Sequence, residues 1–192
     1  MKKLIMFFVV ASFIFFGCKD ENNPISPTVN QLSKGTEITN PNWITLPKSK
    51  NMMIESDFSK IKSIDGNKGG FIELKTEYSG GVTGKVKIHA KIHFPKKSFN
   101  GIKDISLMLD SQNGLTTFYP HMIFSKAAEY NLDIEGLDLS NTDKNNIDFV
   151  YQAPDGSIQK VKYKKIYIDL KKGELKIVKA ILPHFSRYGW LR

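Results

Sequence analysis

The 192-residue chain has few of the residues on which several classes of site depend. It has one cysteine, Cys18, which rules out a disulfide within the chain and a cluster of cysteine ligands around a metal. It has two arginines, Arg187 and Arg192, so the bidentate groups that most often read bases and phosphates are nearly absent. These shortages argue against a disulfide-rich module and against a nucleic-acid partner.

The sequence also lacks an apolar run long enough to span a membrane. Its longest such run covers residues 4–16, whereas a spanning helix needs about 20 apolar residues. The run follows the cationic start Met1-Lys2-Lys3, ends at Gly17-Cys18 and is succeeded by polar residues. This order predicts a signal peptide over residues 1–17.

Composition and length indicate one folded domain. Hydrophobic residues make up 41% of the chain and aromatic residues 11%, which is typical of a folded protein. The net charge is +9, and because the leader holds Lys2 and Lys3 but no acid, the rest of the chain keeps +7. A basic surface favours anionic partners, whereas lysines spread along the chain are also typical of the solvent face of a soluble sheet.

Residues 18–53 are predicted to form a flexible tether, since they are rich in Asn, Ser and Thr and show little hydrophobic periodicity. The prolines of this stretch are Pro24, Pro27, Pro41 and Pro47. Trp43 and Ile44 are expected to dock back on the domain, because a lone tryptophan in a linker seldom stays exposed. The folded domain is then expected over residues 54–192.

Period-two alternation dominates the remaining sequence. In residues 85–94 the apolar side chains alternate with lysines and histidines, which predicts a half-buried strand. Similar short runs cover residues 104–110, 115–119, 129–135, 147–152, 159–163, 165–170, 174–181 and 183–191. Residues 51–61 are the one stretch that could form a short helix. We therefore predict an all-β fold, an antiparallel β-sandwich of about eight to ten short strands.

The candidate metal ligands do not have a spacing that suits a metal on strands. His89 and His93 share a strand, which separates their Cα atoms by about 13 Å, so both are expected to face solvent. The loop over residues 136–146 offers carboxylate and amide oxygens without the spacing of a known calcium loop. No cofactor and no metal are predicted.

A lysine-rich strand pair is predicted over residues 157–179. Its cationic side chains belong to Lys160, Lys162, Lys164, Lys165, Lys171, Lys172, Lys176 and Lys179. They could bind a phosphate-bearing glycolipid or a polyanionic glycan. They could equally protect an edge strand from pairing with another sheet.

The end of the leader, Phe15-Phe16-Gly17-Cys18, resembles the lipoprotein box of bacteria. The resemblance implies cleavage after Gly17, acyl chains such as palmitate on Cys18, and a bilayer as a partner. Lys19 replaces the Asp that retains enteric lipoproteins at the inner membrane, and Lys19-Asp20-Glu21 is similar to the short signal that exports lipoproteins of the Bacteroidetes group. An outer-membrane location is therefore expected, with either face of that membrane left open.

The closing segment, His184-Phe185-Ser186-Arg187-Tyr188, resembles the last strand of bacterial surface proteins built on the β-sandwich domain of ankyrins and netrin receptors. Softer matches in the same order include Gly69-Gly70, Phe118-Tyr119-Pro120 and Asp155-Gly156, so the similarity covers about residues 60–192. Ala127 stands where the family has a proline. The resemblance implies the sandwich fold and an envelope protein.

We expect a monomeric, non-enzymatic binding or structural module with an unknown protein or glycan ligand and no catalytic residue. Eukaryotic relatives with the same His-Phe-Ser sequence cut themselves before the serine, which implies an alternative. In that alternative Ser186 attacks the carbonyl of Phe185, and His184 assists as the base. A polyanion or glycan binder is a further alternative, and a glycan hydrolase would need paired carboxyl groups of raised pKa in a cleft.

Overall fold

The structure is a computed structural model that describes residues 41–49 and 58–192. Their secondary structure consists of eleven β-strands and a single 3₁₀ turn at Lys144–Asn146. The strands are β1 (Phe58–Asp65), β2 (Gly70–Ser79), β3 (Lys85–Phe94), β4 (Ile102–Leu109), β5 (Thr116–Tyr119), β6 (Ile123–Glu135), β7 (Asp148–Gln152), β8 (Ile158–Lys160), β9 (Lys165–Asp169), β10 (Glu174–His184) and β11 (Arg187–Leu191).

The described strands form two antiparallel sheets that pack against each other. The six-stranded sheet has the order β1-β4-β5-β11-β7-β8, and the five-stranded sheet has the order β2-β3-β6-β10-β9. Four connections, β2–β3, β4–β5, β7–β8 and β9–β10, stay within one sheet, whereas the other six connections between these strands pass from one sheet to the other. The predicted all-β antiparallel sandwich is confirmed, with slightly more strands than expected.

Alternation along the strands builds the core. In β3 the side chains from Val86 to Phe94 at every second position are fully buried, while His89 and His93 lie on the solvent face as predicted. Burying one such aliphatic or aromatic side chain stabilises the fold by about 1.5–3 kcal/mol. The largest fully buried side chains are Trp190, Tyr130, Tyr188, Phe94, Phe118 and Phe149.

Three local predictions were wrong, one of them only in part. The helix expected over residues 51–61 is a strand from Phe58 onward, because this part of β1 pairs residue by residue with β4; residues 51–57 lie outside the described part. The predicted lysine-rich strand pair over residues 157–179 was wrong in part, because β8 belongs to the other sheet, whereas β9 does pair with β10. The strand expected over residues 183–191 is interrupted at Phe185 and Ser186.

A glycine forms the turn between two neighbouring strands of the six-stranded sheet. Asp155-Gly156 joins β7 to β8, with Gly156 at a φ of +87°, a value that costs a glycine little. The Asp155 carboxylate accepts a hydrogen bond from the backbone N–H of Ser157 at 2.9 Å, and this bond lowers the pKa of that carboxyl.

Residues 41–49 pack on the sandwich. Trp43 forms a β-bridge with Leu191, and the backbone N–H of Ile44 donates to the carbonyl oxygen of Trp190 at 2.9 Å. Ile44 and Leu46 are buried in the common core. The expected docking of Trp43 and Ile44 is therefore observed, and the packed part of the chain includes residues N-terminal to the predicted boundary at residue 54.

The membrane-related predictions fall on other residues. Cys18, the signal peptide over residues 1–17 and most of the tether lie outside the described residues. Within residues 41–49 and 58–192, no helix has the length and apolar character needed to cross a membrane.

Candidate functional site

The His-Phe-Ser segment lies where the chain leaves one sheet for the other. His184 is the last residue of β10 in the five-stranded sheet, and Arg187 is the first of β11 in the six-stranded sheet. Phe185 donates its backbone N–H to the carbonyl of Met122 at 2.8 Å, and the carbonyl of Ser186 accepts from Phe118 at 3.2 Å. Both residues of this crossover are buried and hydrogen-bonded, so its backbone has a defined path.

The Phe185 side chain points into the core. Its ring contacts the edges of Phe94 and Phe124, with 5.8 Å and 4.8 Å between centroids. Edge-to-face packing of this kind adds about 0.5–1.5 kcal/mol per pair beyond the burial itself. Phe185 thus serves as a core residue at the sheet crossover.

His184 is half-buried between two tyrosine rings. The centroid distances are 4.7 Å to Tyr151 and 6.3 Å to Tyr188. Burial lowers the pKa of the imidazole, so it is neutral at pH 7. The Tyr188 hydroxyl donates to the carbonyl of His184 at 2.7 Å and lies 3.4 Å from Nδ1 of the same residue.

The Ser186 hydroxyl and the His184 ring are not hydrogen-bonded to each other among the described residues. A general base normally lies about 2.6–3.2 Å from the group it deprotonates, although free enzymes often show longer distances. Within the same residues, neither Phe185 nor Ser186 has a positive φ. Attack by Ser186 assisted by His184 would therefore require a contact between the hydroxyl and the imidazole that is not formed here.

A second candidate site lies on the outer face of the five-stranded sheet. A row of directly opposed residues crosses all its strands, because each residue pairs with the next in the strand register. In order from β2 to β9, the row consists of Lys75, His89, Asp133, Lys176 and Tyr167. We call these five residues the polar row.

The polar row is held by charged contacts. Nε2 of His89 lies 2.7 Å from Oε1 of Glu73, and this hydrogen bond is the main cause that lowers the pKa of the glutamate. Lys176 donates from Nζ to Oδ2 of Asp133, which raises the pKa of the lysine. The other oxygen of Asp133, Oδ1, is buried and has no hydrogen-bond partner among the described residues.

Two adjoining depressions follow the polar row. One of about 450 Å³ lies toward β2, and one of about 220 Å³ lies toward β10. Both are lined by His89 and Asp133. The groove thus presents carboxylates as acceptors and ammonium groups as donors on one surface, an arrangement suited to a polar ligand with several hydroxyl or amide groups.

Sequence reasoning placed His89 on a solvent face and Lys176 among the cationic side chains of residues 157–179, but it did not bring the members of the polar row together. The signal for its partners is the strand order, because Asp133 and Lys176 reach His89 only through the pairing of β3 with β6 and of β6 with β10. Alternation along a strand shows which of its side chains share a face. It does not show which residues of other strands lie beside them.

The loop over residues 136–146 directs its carboxylates into its own backbone. Oδ1 of Asp138 accepts from the backbone N–H and the hydroxyl of Ser140, and Oδ1 of Asp143 accepts from the N–H of Asn145. In the part of the chain that the structure describes, no three His, Cys, Asp or Glu side chains are placed to hold a metal ion.

The lysines at the β8–β9 crossover form a third feature. Their strands are the outermost strands of the two sheets within the described residues, so the edge-protection interpretation has the geometry it requires.

Comparison with known proteins gives no relative for this chain: no family model, no curated protein and no solved structure matches it.

Proposed function

We propose that this protein is a lipid-anchored envelope protein whose sandwich binds a ligand without transforming it. The groove along the polar row is the observation that carries the binding role. It is a shallow depression on the outer face of the five-stranded sheet, and it contains a carboxylate oxygen, Oδ1 of Asp133, that has no partner among the described residues. A buried acceptor without a partner costs about 1–3 kcal/mol, and a ligand that donated a hydrogen bond after a small side-chain shift would recover part of that cost.

The charge state of the groove supports binding over hydrolysis. A glycosidase needs one carboxyl group whose pKa is raised so that it can donate a proton near neutral pH. The pKa of Glu77, which lines the groove, is lowered by its hydrogen bond to Lys85, and the pKa of Glu73, which lies beside the groove, is lowered by its hydrogen bond to His89. These two carboxylates are ionised at pH 7 and suit the role of hydrogen-bond acceptors.

The anchor is supported by the leader and by Cys18 directly after Gly17. We expect the full chain, produced in a bacterial host, to incorporate labelled palmitate and to fractionate with membranes. Cys18→Ser should lose the label and keep residues 1–17, which a mass measurement of the intact protein detects. An unlabelled wild-type chain that stays in the soluble extract would contradict the anchor.

The groove is tested with lipid-free polysaccharide prepared from a bacterial envelope as the probe. We expect the backbone amide signals of β3 and β6 to shift on addition, and the double variant His89→Ala, Asp133→Asn to lose the shifts. His93→Ala, an exposed histidine on the same strand, serves as the matched control and should retain them. If the double variant responds as the wild type does, the groove is not the binding site.

A second candidate function is cleavage of the chain between Phe185 and Ser186. The observation in its favour is a neutral imidazole at His184, two residues before a serine at a sheet crossover. Oγ of Ser186 would attack the Phe185 carbonyl carbon, the C–N bond would break as an ester forms and the amine is released, and water would open the ester.

Cleavage is measured as the intact mass under denaturing conditions. It predicts the loss of residues 186–192 from the main species, with no loss in Ser186→Ala and normal loss in the control Ser125→Ala. A single full-length mass for the wild-type protein after prolonged incubation would exclude it.

A further inference from the structure

The crossover from β8 to β9 is fixed to the rest of the sandwich. Val161 is buried in the core, and the backbone N–H of Lys164 donates to the carbonyl of Val178 at 3.0 Å. The carbonyl of Lys162 accepts from the N–H of Ile181 at 2.7 Å. These bonds continue the pairing between β9 and β10. The backbone that carries the side chains of the crossover is therefore held in place by hydrogen bonds.

Lysines dominate this crossover and its neighbours. We define the basic rim as Lys160, Lys162, Lys164, Lys165 and Lys179, all of which are exposed. Lys160 lies 3.9 Å from an oxygen of Asp148, and Lys179 lies 3.1 Å from an oxygen of Glu129. Lys162, Lys164 and Lys165 have no carboxylate within 4 Å among the described residues. Three lysines without a carboxylate partner therefore lie within four consecutive residues, and Nζ of Lys165 lies 4.0 Å from the centroid of the Tyr167 ring.

Lys179 adds a second, independent observation. Its φ is +53°, in the left-handed region, where a residue with a Cβ carries a cost of roughly 1–2 kcal/mol. The strand register shifts at this point, and the Lys179 N–H is held by Oδ1 of Asn131 at 3.0 Å. Glycine would adopt this conformation without the cost, so Lys179 carries a backbone cost that glycine would not.

Edge protection accounts for only part of the basic rim. A lysine on an open strand edge prevents pairing with another sheet, and Lys160 on β8 and Lys165 on β9 are placed to do so. Lys162 and Lys164 lie between β8 and β9, and neither ammonium group has a carboxylate within 4 Å among the described residues. An anionic partner outside the chain would neutralise these two ammonium groups.

We propose that the basic rim binds the phosphate-bearing headgroups of a bilayer surface. Lysine ammonium groups act as point charges toward phosphate, and each lysine near an anionic membrane surface contributes roughly a fivefold increase in binding. The exposed ring of Tyr163, in the middle of the crossover, has the amphipathic character found at membrane interfaces. This proposal rests on the proposed function only in that the anchor would keep a bilayer within reach of the rim.

The test uses the chain from Lys19 to Arg192 without acyl chains. The core is built from residues between Ile44 and Trp190, all of which this chain contains, so it keeps the whole fold. Vesicles of phosphatidylglycerol and phosphatidylcholine are compared with vesicles of phosphatidylcholine alone. We expect binding to the anionic vesicles only, with loss at about 1 M salt, where the Debye length is about 3 Å.

The triple variant Lys162→Gln, Lys164→Gln, Lys165→Gln should lower the partition coefficient on anionic vesicles by a factor on the order of 100. Circular dichroism shows whether this variant keeps the β-sheet spectrum of the wild-type chain.

The matched control is the triple variant Lys60→Gln, Lys96→Gln, Lys103→Gln. It removes the same charge from exposed lysines that, among the described residues, have no carboxylate within 4 Å and lie outside the basic rim. We expect it to lower the partition coefficient less than about tenfold, through the net charge alone.

Equal losses in the two triple variants would overturn the proposal, because net charge would then explain the binding. Equal binding to neutral vesicles would also overturn it, as would binding to dextran sulfate without binding to anionic vesicles. Because the tested chain carries no acyl group, failure here leaves the anchor at Cys18 unaffected. Conversely, a wild-type chain that incorporates no palmitate leaves the vesicle result intact.

Discussion

The ring of Phe185 lies parallel to the ring of Phe118, with 5.1 Å between centroids and 9° between planes. Phe118 belongs to β5 of the six-stranded sheet, whereas Phe124, which meets the Phe185 ring edge-on, belongs to β6 of the five-stranded sheet. The aromatic side chain at the sheet crossover therefore joins the two layers of the sandwich.

Phe185→Ala should lower the free energy of unfolding by about 3–5 kcal/mol, because it removes a buried ring and leaves a cavity between the sheets. Denaturant titration measures the loss. Phe71→Ala is the matched control, since Phe71 is 42% exposed on the outer face, and it should cost about 1 kcal/mol or less. Similar losses in both variants would mean that Phe185 does not join the layers.

How far the sequence predicts this fold depends on the range of the interactions. β3 coincides with its predicted residues, because alternation of apolar and charged side chains is a local property. The β10–β11 region carries a nearly continuous pattern through Phe185 and Ser186, and the chain changes sheets there only because Met122 and Phe118 supply the backbone partners. Such partners come from distant parts of the sequence.

The candidate sites differ in the same way. His184, Phe185 and Ser186 could be named from a short motif, but their contacts with Tyr151 and Phe118 could not. The polar row has no motif at all, since its members lie on separate strands and become neighbours through register. The lysines of the basic rim form a cluster that the sequence shows directly. That this cluster lies where the chain passes from one sheet to the other could be known only from the strand order.

Tyr78 secures the N-terminal segment to the sandwich. Its hydroxyl donates to the carbonyl of Pro47 at 3.0 Å, and burial raises the pKa of the phenol to about 12. Tyr78→Phe should cost about 1 kcal/mol and should increase hydrogen exchange of the backbone amides over residues 41–49. Tyr167→Phe, at an exposed tyrosine of β9, is the control and should change neither quantity. Unchanged exchange in Tyr78→Phe would show that the hydrogen bond does not hold the segment.

Gly114 permits the close approach of the same segment. Its φ is +59°, and a Cβ added there would lie 2.5 Å from the carbonyl oxygen of Ile44. Gly84 also has a positive φ, +94°, but a Cβ added there would meet nothing within 4 Å. Gly114→Ala should therefore destabilise the fold by about 1–3 kcal/mol more than Gly84→Ala does, as measured by denaturant titration. Equal losses would mean that conformational strain alone limits both sites.

The buried imidazole of His184 should make stability depend on pH. Burial lowers its pKa in the folded protein, whereas the unfolded chain has the ordinary value of 6.5. Below pH 6.5 the unfolded state binds more protons than the folded state. The contribution of His184 to the free energy of unfolding should therefore be complete above pH 6.5 and decrease as the pH drops toward the folded-state pKa. Carboxyl groups contribute mainly below pH 5, which leaves a window for the histidine.

The measurement is the free energy of unfolding at several values between pH 5 and pH 7.5. His184→Gln should remove most of the decline across this window, and His93→Gln, at an exposed histidine, should retain it. A decline of the same size in His184→Gln would assign the dependence to other groups.

Lys179 allows backbone strain and charge to be separated at one position. Lys179→Gly should raise the free energy of unfolding by up to about 1 kcal/mol, because glycine adopts the left-handed φ of +53° without the steric cost. Lys179→Gln keeps the strain and removes only the charge, so it should not stabilise the fold. Both variants should weaken binding to anionic vesicles by roughly fivefold, since each loses one ammonium group. If Lys179→Gly were less stable than Lys179→Gln, the lysine stem would be making contacts that outweigh its backbone strain.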